Sequence, residues 1–364
     1  MMIRKLKAAC WLLLLFLTMP VIFGTVEPGK FTPSFRWGGI AAYASAVKNS
    51  NPVSKILTLA GDKAAYVTSI AFSPDGKLLA SGNDSSGVCL WDSFAGEQLY
   101  ALKGQADQID AVIFSADGQR VVAAGFDEAI RIWDTRTGEL SRTIVSPRSV
   151  PNQLLRGDRS NITALALNPA GAVAAAGLNG EIKVWNLESG NVVQEFADIA
   201  GICFSHDGRL MGISKDDSIQ IVEMASGRLL SSLTDQGEKL WARTKTMAFS
   251  PDGRFFASTG TDGTIRIWET ESGEVVRRLK GHTSGIAVIA YSPDGRFIVS
   301  GGGWFGNSGR DDIVAGLWDA GSGELVMSIT DHSRAVTSVA FSPDGKRLAT
   351  AGLDGNIYVY EWNL

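Results

Sequence analysis

Phe72-Ser-Pro-Asp-Gly76 returns down the chain as Phe114-Ser-Ala-Asp-Gly118, Leu167-Asn-Pro-Ala-Gly171, Phe204-Ser-His-Asp-Gly208, Phe249-Ser-Pro-Asp-Gly253, Tyr291-Ser-Pro-Asp-Gly295 and Phe341-Ser-Pro-Asp-Gly345. Each copy leads into a β-rich run that ends in a pair: Trp91-Asp92, Trp133-Asp134, Trp185-Asn186, Trp268-Glu269, Trp318-Asp319 and Tyr360-Glu361. The fourth copy offers Val222-Glu223 instead. From the first residue of the phrase to the pair the distance is 18 or 19 residues in six copies and 27 in the sixth. A unit of about forty residues repeated in this way implies a repeat architecture rather than several independent domains.

Within the first unit, Val67 to Phe72 reads as a short apolar strand. Ser73-Pro-Asp-Gly76 then reverses the chain, because proline presets one turn dihedral and glycine accepts the positive one. Leu78 to Ser81, Val88 to Trp91 and Glu97 to Leu102 read as the next three strands, with turns at Asp84 to Gly87 and Phe94 to Gly96. Four antiparallel strands per unit make an all-β chain, in keeping with 45% hydrophobic residues and 41 glycines.

The formal charge is -4, and residues 1–24 hold Arg4, Lys5 and Lys7 with no acid, so the rest of the chain carries -7. That balance argues against nucleic acid as a partner. A basic start, an apolar run from Ala8 to Met19 and small residues near Gly24 have the layout of a secretory signal. Sixteen residues from Ala8 to Phe23 span roughly 24 Å as a helix, short against a bilayer core of roughly 30 Å. Residues 1–24 are therefore read as a signal peptide or signal anchor, with the rest exported: periplasmic, extracellular or membrane-tethered facing away from the cytoplasm. Any membrane contact is expected only through that segment. Residues 25–52, with Pro28, Pro33 and Pro52, read as a linker to a domain covering 53–364. Beyond Cys10 only Cys89 and Cys203 remain, in units far apart, so no disulfide is expected.

With its phased phrases and Trp-Asp pairs, the region from about residue 53 to 364 resembles the WD-repeat β-propeller family, in an exported bacterial-type version. The resemblance implies a seven-bladed propeller of four-stranded antiparallel blades. It also implies a hydrogen-bonded tetrad of a connecting-loop His, a second-strand Ser or Thr, a hairpin Asp and the Trp. In register, His282, Ser300, Asp312 and Trp318 make a complete set, and His332, Thr350, Asp354 and Tyr360 nearly another. The first five blades are expected to rely on packing of their aromatics. Since the chain stops just after a third strand, Val53 to Leu59 is expected to supply the missing fourth and close the ring.

Two length anomalies fall on one end of such a ring, the connecting-loop face. The sixth unit's hairpin carries about eight extra residues within Gly301 to Arg310, including Trp304, Phe305, Asn307 and Arg310. A long connection into the third unit carries Arg148, Arg156 and Arg159. Aromatics beside arginine at a loop tip suit an interface hot spot, although they could equally fold back on their own blade. In the family the residue six before the phrase often contacts partners; here these are Tyr66, Gln108, Asn161, Asp198, Arg243, Gly285 and Ala335, with Trp241 beside Arg243.

A protein or peptide held on this face by a non-enzymatic scaffold is the leading expectation, with no cofactor or metal. His282 and His332 are assigned to tetrads and His206 to a turn, which leaves no histidine for acid-base or metal work. A hydrolase or lyase using channel carboxylates is one alternative. Adhesion through Arg156-Gly157-Asp158 is another, although such a tripeptide also arises by chance.

Overall fold

The structure, a computed structural model, describes residues 53–60, 65–145, 162–167, 172–177, 182–196, 201–234, 246–302 and 315–362, apart from 86, 106, 128, 216, 217, 261, 283 and 284. No helix among them is long and apolar enough to cross a membrane. The signal segment, residues 1–24, and the linker, residues 25–52, lie outside the described residues.

Strand pairing gives seven four-stranded antiparallel sheets. The first comprises Val67–Phe72, Leu78–Asn83, Val88–Asp92 and Gln98–Leu102, paired in chain order. Sheets two to six follow the same pattern within residues 109–145, 162–196, 201–233, 247–280 and 286–329. In the seventh, Val336–Phe341, Arg347–Gly352 and Asn356–Trp362 are joined by Val53–Ala60, which pairs antiparallel with the last strand from Val53 opposite Trp362 to Ala60 opposite Asn356. The innermost strand of each sheet packs on that of the next, and the seventh sheet's on the first sheet's, so the all-β arrangement is a propeller.

The repeated phrase builds one turn at the end of six inner strands, the third copy's residues 168–171 lying outside the described residues. In the first copy the Ser73 hydroxyl donates to Asp75 Oδ1 at 2.7 Å and accepts the Leu78 amide at 2.9 Å, while the Lys77 amide reaches the same carboxylate oxygen at 3.0 Å. Gly76 sits at φ 71°, where a side chain would be strained, and its amide donates to the Ser73 carbonyl. The Ser73 hydroxyl foremost, then the Lys77 amide, hold the Asp75 carboxyl below its ordinary range. Ser115 with Asp117, Ser205 with Asp207, Ser250 with Asp252, Ser292 with Asp294 and Ser342 with Asp344 repeat the contact.

In the first, second, third and sixth sheets the residue after the aromatic closes the following turn. Asp92 Oδ1 accepts the Phe94 and Ala95 amides, both at 2.8 Å, and Asn186 Oδ1 accepts those of Glu188 and Ser189. Only an oxygen on a short side chain is needed, so asparagine serves as well as aspartate. Glu269, one methylene longer, instead takes the Ser272 hydroxyl at 2.7 Å.

Simple alternation fails on the inner strands. A register shift between Val67 and Ser69 puts Val67 and Ile70 inside and leaves Ser69 and Ala71 half-buried; the same shift occurs at Ile109/Ala111, Ile286/Val288 and Val336/Ser338. A second bulge falls just before the aromatic, for example between Ile132 and Trp133.

The hydrophobic core lies between sheets. Each of seven clusters draws from two neighbours; that at the junction of the seventh and first sheets joins Ala349, Ile357, Val359 and Leu59 to Val67, Ile70, Leu79 and Trp91. Polar bonds cross the same junction. Thr337 Oγ1 donates to the Val67 carbonyl at 2.6 Å, and the Ile70 amide to Ser338 Oγ at 3.0 Å. Arg347, 4% exposed, donates to the carbonyls of Gly76 and Ser93, each at 2.7 Å, and lies 3.8 Å from the centre of the Phe94 ring. Burial pulls its pKa below the usual arginine value, against the attraction of Asp344, Glu361 and Asp92.

Two truncations test this junction by thermal melting. Deleting Val53–Leu59 removes Leu59 from its cluster and bares a strand edge, so the melting temperature falls steeply. Arg347→Met strands the buried Ser93 carbonyl, leaves that of Gly76 with the Ser93 hydroxyl alone, and costs about 1–3 kcal/mol; a variant that melts with the parent rules out Arg347 as a brace of this junction.

Candidate functional site

At the end of the sheets opposite the Ser-Pro-Asp-Gly turns, connecting loops and second hairpins are stitched together. The Tyr66 amide donates to Asp84 Oδ1 at 2.8 Å and the Asp84 amide to the Tyr66 carbonyl at 3.1 Å. Phe126 with Gln108, and Leu353 with Ala335, repeat the backbone contact. Beneath these loops lie several of the residues expected to form tetrads. His282 Nε2 is 2.7 Å from Ser300 Oγ, which accepts the Trp318 indole N–H at 2.8 Å. Asp312 lies outside the described residues.

In the seventh sheet His332 Nδ1 lies 3.0 Å from Asp354 Oδ1 and Nε2 is 2.8 Å from Thr350 Oγ1. A neutral ring donating from Nδ1 and accepting at Nε2 satisfies both partners. Burial drives its pKa below the ordinary histidine value against the pull of Asp354. Asp354, though burial opposes its charge, is held below the usual carboxylate range by the Ser333 amide and the His332 ring. The Tyr360 hydroxyl donates to Asp331 Oδ2 at 3.0 Å. A phenol is longer than an indole N–H, so this side chain reaches past the serine-like position to the connecting loop.

Reliance on packing alone in the first five blades is corrected by the structure. The Trp91 and Trp268 indoles donate to Ser81 and Ser258 Oγ, both at 2.9 Å. Where alanine stands at that register position the indole turns elsewhere. In the second sheet, where Ala123 stands at that position, Trp133 donates to the Lys103 carbonyl at 2.9 Å; in the third sheet, with Ala175 there, the Trp185 N–H has no partner among the described residues.

The residue two before the aromatic takes over from histidine. Arg131 Nη1 lies 2.5 Å from Asp127 Oδ2 and donates to Gln105 Oε1, and Arg266 Nη2 lies 2.9 Å from Asp262 Oδ2. In the sixth sheet this position is Gly316, where a Cβ would come within 2.8 Å of the Trp318 indole nitrogen; in the seventh it is Tyr358, edge-on to His332 with centroids 4.7 Å apart. Ile130-Arg-Ile-Trp133 and Ile265-Arg-Ile-Trp268 carried this signal, since an arginine two residues before a buried tryptophan shares its face of the strand.

Tyr66 is the one exposed residue among the expected contact positions that are described. Its ring is 38% exposed, with the Arg334 guanidinium 4.7 Å from its centre. Gln108 is half-buried, whereas Gly285 and Ala335 are buried, because tight connecting loops turn their small residues inward. That removes those two from the expected contact surface. Trp304, Phe305, Asn307, Arg310, Arg148, Arg156, Arg159, Trp241 and Arg243, and the Arg156–Asp158 tripeptide, lie outside the described residues. Cys89 and Cys203 are free thiols, half-buried rather than fully buried; burial raises the pKa of both, that of Cys203 to about 12. Among the described residues no group of three or more His, Cys, Asp or Glu could hold a metal ion.

Comparison with known proteins places the chain in a family. The model of the WD domain, G-beta repeat, matches residues 53–92, 96–134, 149–186, 242–269, 273–311 and 323–361, more than half of the chain, which therefore belongs to that family. Six repeats are matched against seven sheets in the strand pairing. The unmatched sheet is the fourth, where Val222 takes the aromatic's place.

An uncharacterised WD repeat-containing protein of Synechocystis sp. is 33% identical over 149 residues, 38% of this chain and 40% of its own. Autophagy-related protein 16 of Arabidopsis thaliana is 24% identical over 230 residues, 60% of this chain and 42% of its own. Small ribosomal subunit protein RACK1y of Oryza sativa is 26% identical over 122 residues, 32% and 36% respectively. The chain thus spans about two fifths of the length of these relatives.

Indole partners and the buried ring give two measurable outcomes. Ser258→Ala should cost about 1–2 kcal/mol by stranding the Trp268 N–H. The unfolded His332 ring titrates near ~6.5 and the folded one lower, so the unfolded chain binds more protons in the window below ~6.5. Stability is therefore full above that value and lost as pH falls. In urea titrations from pH 7 to 5, His332→Gln should start lower and decline less; an equal decline excludes the ring as the cause.

Proposed function

We propose that this protein is a non-enzymatic interaction scaffold that holds a protein or peptide on its connecting-loop face. In this reading the seven sheets are the blades of one ring, closed where Val53–Ala60 completes the last sheet. The observation that carries it is the Tyr66–Arg334 pair: an exposed aromatic ring held by a guanidinium where the first and seventh sheets meet, on the face of the connecting loops. Rigid aromatics and arginines dominate interface energetics, since they contribute large contact area at a small entropic cost. Membership of the WD family, whose propellers typically bind proteins, supports the same class. Trp304, Phe305, Asn307 and Arg310 in the long hairpin, Arg148, Arg156 and Arg159 in the long connection, and Trp241 with Arg243 are proposed as the remainder of the contact surface. Export is proposed from the basic and apolar pattern of residues 1–24.

Affinity capture from the exported fraction tests compartment and surface together. Tyr66→Ala, and separately Trp304, Phe305 and Arg310 to Ala, should leave melting unchanged and lower recovery of the partner tenfold or more. Undiminished recovery by both variants overturns the assignment of this face.

A further inference from the structure

Each sheet's outer strand faces the turn that follows the aromatic of the next sheet. The outer-strand residue paired with the position just before the aromatic recurs as Tyr100, Arg142, Ser231 and Arg277 in sheets one, two, four and five. Three of these reach the same carbonyl of the neighbouring turn, the third residue after the aromatic or one beside it. Tyr100 OH donates to the Arg136 carbonyl at 2.6 Å and Arg277 Nε to that of Gly321 at 2.6 Å. Arg142 spreads over three, donating to the carbonyls of Leu187, Glu188 and Ser189.

The equivalent residues of sheets three and six, Gln194 and Met327, make no such bond among the described residues, and between the fourth and fifth sheets the reach is also lost, there beside a buried hydroxyl. Ser231 is too short to reach the equivalent Glu271 carbonyl; its hydroxyl stops at the Thr270 carbonyl at 2.6 Å, and no donor meets Glu271 O among the described residues. A cavity of about 550 Å³ opens at this seam, bordered by Thr270 and Glu271. That volume lies within the range of roughly 300–1,000 Å³ typical of ligand sites. An independent vacancy lies beside it. Ser93 and Thr135, the counterparts of Thr270, donate to the Gly76 and Gly118 carbonyls at 2.6 and 3.0 Å. Thr270, 1% exposed, has a hydroxyl with no partner among the described residues.

Charge sets the sign of the missing group. Asp207, Glu223, Asp252, Glu269 and Glu271 line the cavity against Arg209, Arg228 and Arg254, an excess of two negative charges, and Arg228 is already engaged with Glu223 at 3.5 Å. We propose that this seam binds an arginine side chain of a partner protein, seated where Arg142 and Arg277 sit at the equivalent seams of the same ring. A guanidinium supplies several N–H donors in one plane and accepts none, which matches a free carbonyl, an unfilled hydroxyl and surrounding carboxylates. Because the cavity includes Asp207 and Asp252 of the phrase turns, it lies on the end opposite the connecting loops and stands independently of the scaffold face proposed above.

The test titrates the peptide acetyl-Gly-Arg-Gly-amide into the protein and follows backbone amide shifts by NMR. Its counterpart with citrulline, the same shape without the charge, is the control. The arginine peptide should saturate shifts at Ser231, Thr270 and Glu271, and the citrulline peptide should bind at least tenfold more weakly. Ser231→Arg refills the seam from within and should abolish binding while leaving the melting temperature equal or higher. Should that variant misfold, Glu269→Gln serves instead and should weaken binding by roughly threefold or more. Equal binding of both peptides, unaltered binding by Ser231→Arg or by Glu269→Gln, or saturable shifts confined to other residues overturns the site.

Discussion

A sheet of four short strands cannot bury its own faces, and this constraint organises the molecule. Every hydrophobic cluster is shared between neighbours: Trp133 of the second sheet packs with Leu90 and Val88 of the first, and Trp268 of the fifth with Ile219 and Ile221 of the fourth. A buried tryptophan contributes roughly 5 kcal/mol as a gross upper bound from its area alone, and here that contribution exists only when the adjacent sheet is present. Consequently each sheet is conditional on the next, and the run of sheets is most stable when its last member meets its first. The cluster holding Leu59 with Trp91 and the Arg347 contacts to Gly76 and Ser93 are that meeting.

Apolar packing between sheets forces a second problem, the buried polar atoms that come with tryptophan. An indole N–H taken out of water needs an acceptor, and a hydroxyl in the adjacent strand is the nearest place to put one. A hydroxyl so placed can be held by histidine from the loop above, as in the sixth and seventh sheets. Elsewhere the space is filled from the strand itself by Arg131 or Arg266, which pair with the hairpin aspartate. His332 in the seventh sheet and Arg131 or Arg266 in the second and fifth are thus alternative ways of bracing a hairpin aspartate; where the loop supplies a histidine, the strand carries Gly316, whose Cβ would crowd the Trp318 indole, or Tyr358 edge-on to the ring. The two solutions differ in response to acid, because arginine stays charged throughout while His332 must remain neutral to accept from Thr350.

These facts were unequally visible in the amino-acid sequence. Sheets were legible because the Ser-Pro-Asp-Gly turn demands a specific set of residues, so its phase survives even where Asn168 and Ala170 replace two of them. Bulges at Val67/Ser69 and before each aromatic were not, since a register shift of one residue leaves no compositional trace. The tetrads could be aligned by spacing, yet the Tyr360 hydroxyl goes to Asp331, because reach depends on side-chain length rather than position. The arginines two before Trp133 and Trp268 stood in plain view and acquire meaning only once both middle strands are paired. Surface function was least legible: exposure of Tyr66 and burial of Ala335, at equivalent positions, follow from neighbours that no repeat pattern specifies.

Turn chemistry and recognition also compete for the same groups. On the phrase end, carboxylates such as Asp75, Asp117 and Asp207 have already committed one oxygen, Oδ1, to both a serine hydroxyl and a backbone amide, which lowers their pKa and leaves them charged with at most Oδ2 for a partner. A site can arise there only where a seam side chain is missing, as beside Ser231. At the opposite end the backbone is satisfied by reciprocal bonds between connecting loop and hairpin, Tyr66 with Asp84 and Ala335 with Leu353, so loop side chains can change without loosening the sheets beneath. Repetition therefore frees one end for variation and restricts the other to the consequences of a single shortened residue, which is why departures from the repeat are more informative about recognition than the repeat itself.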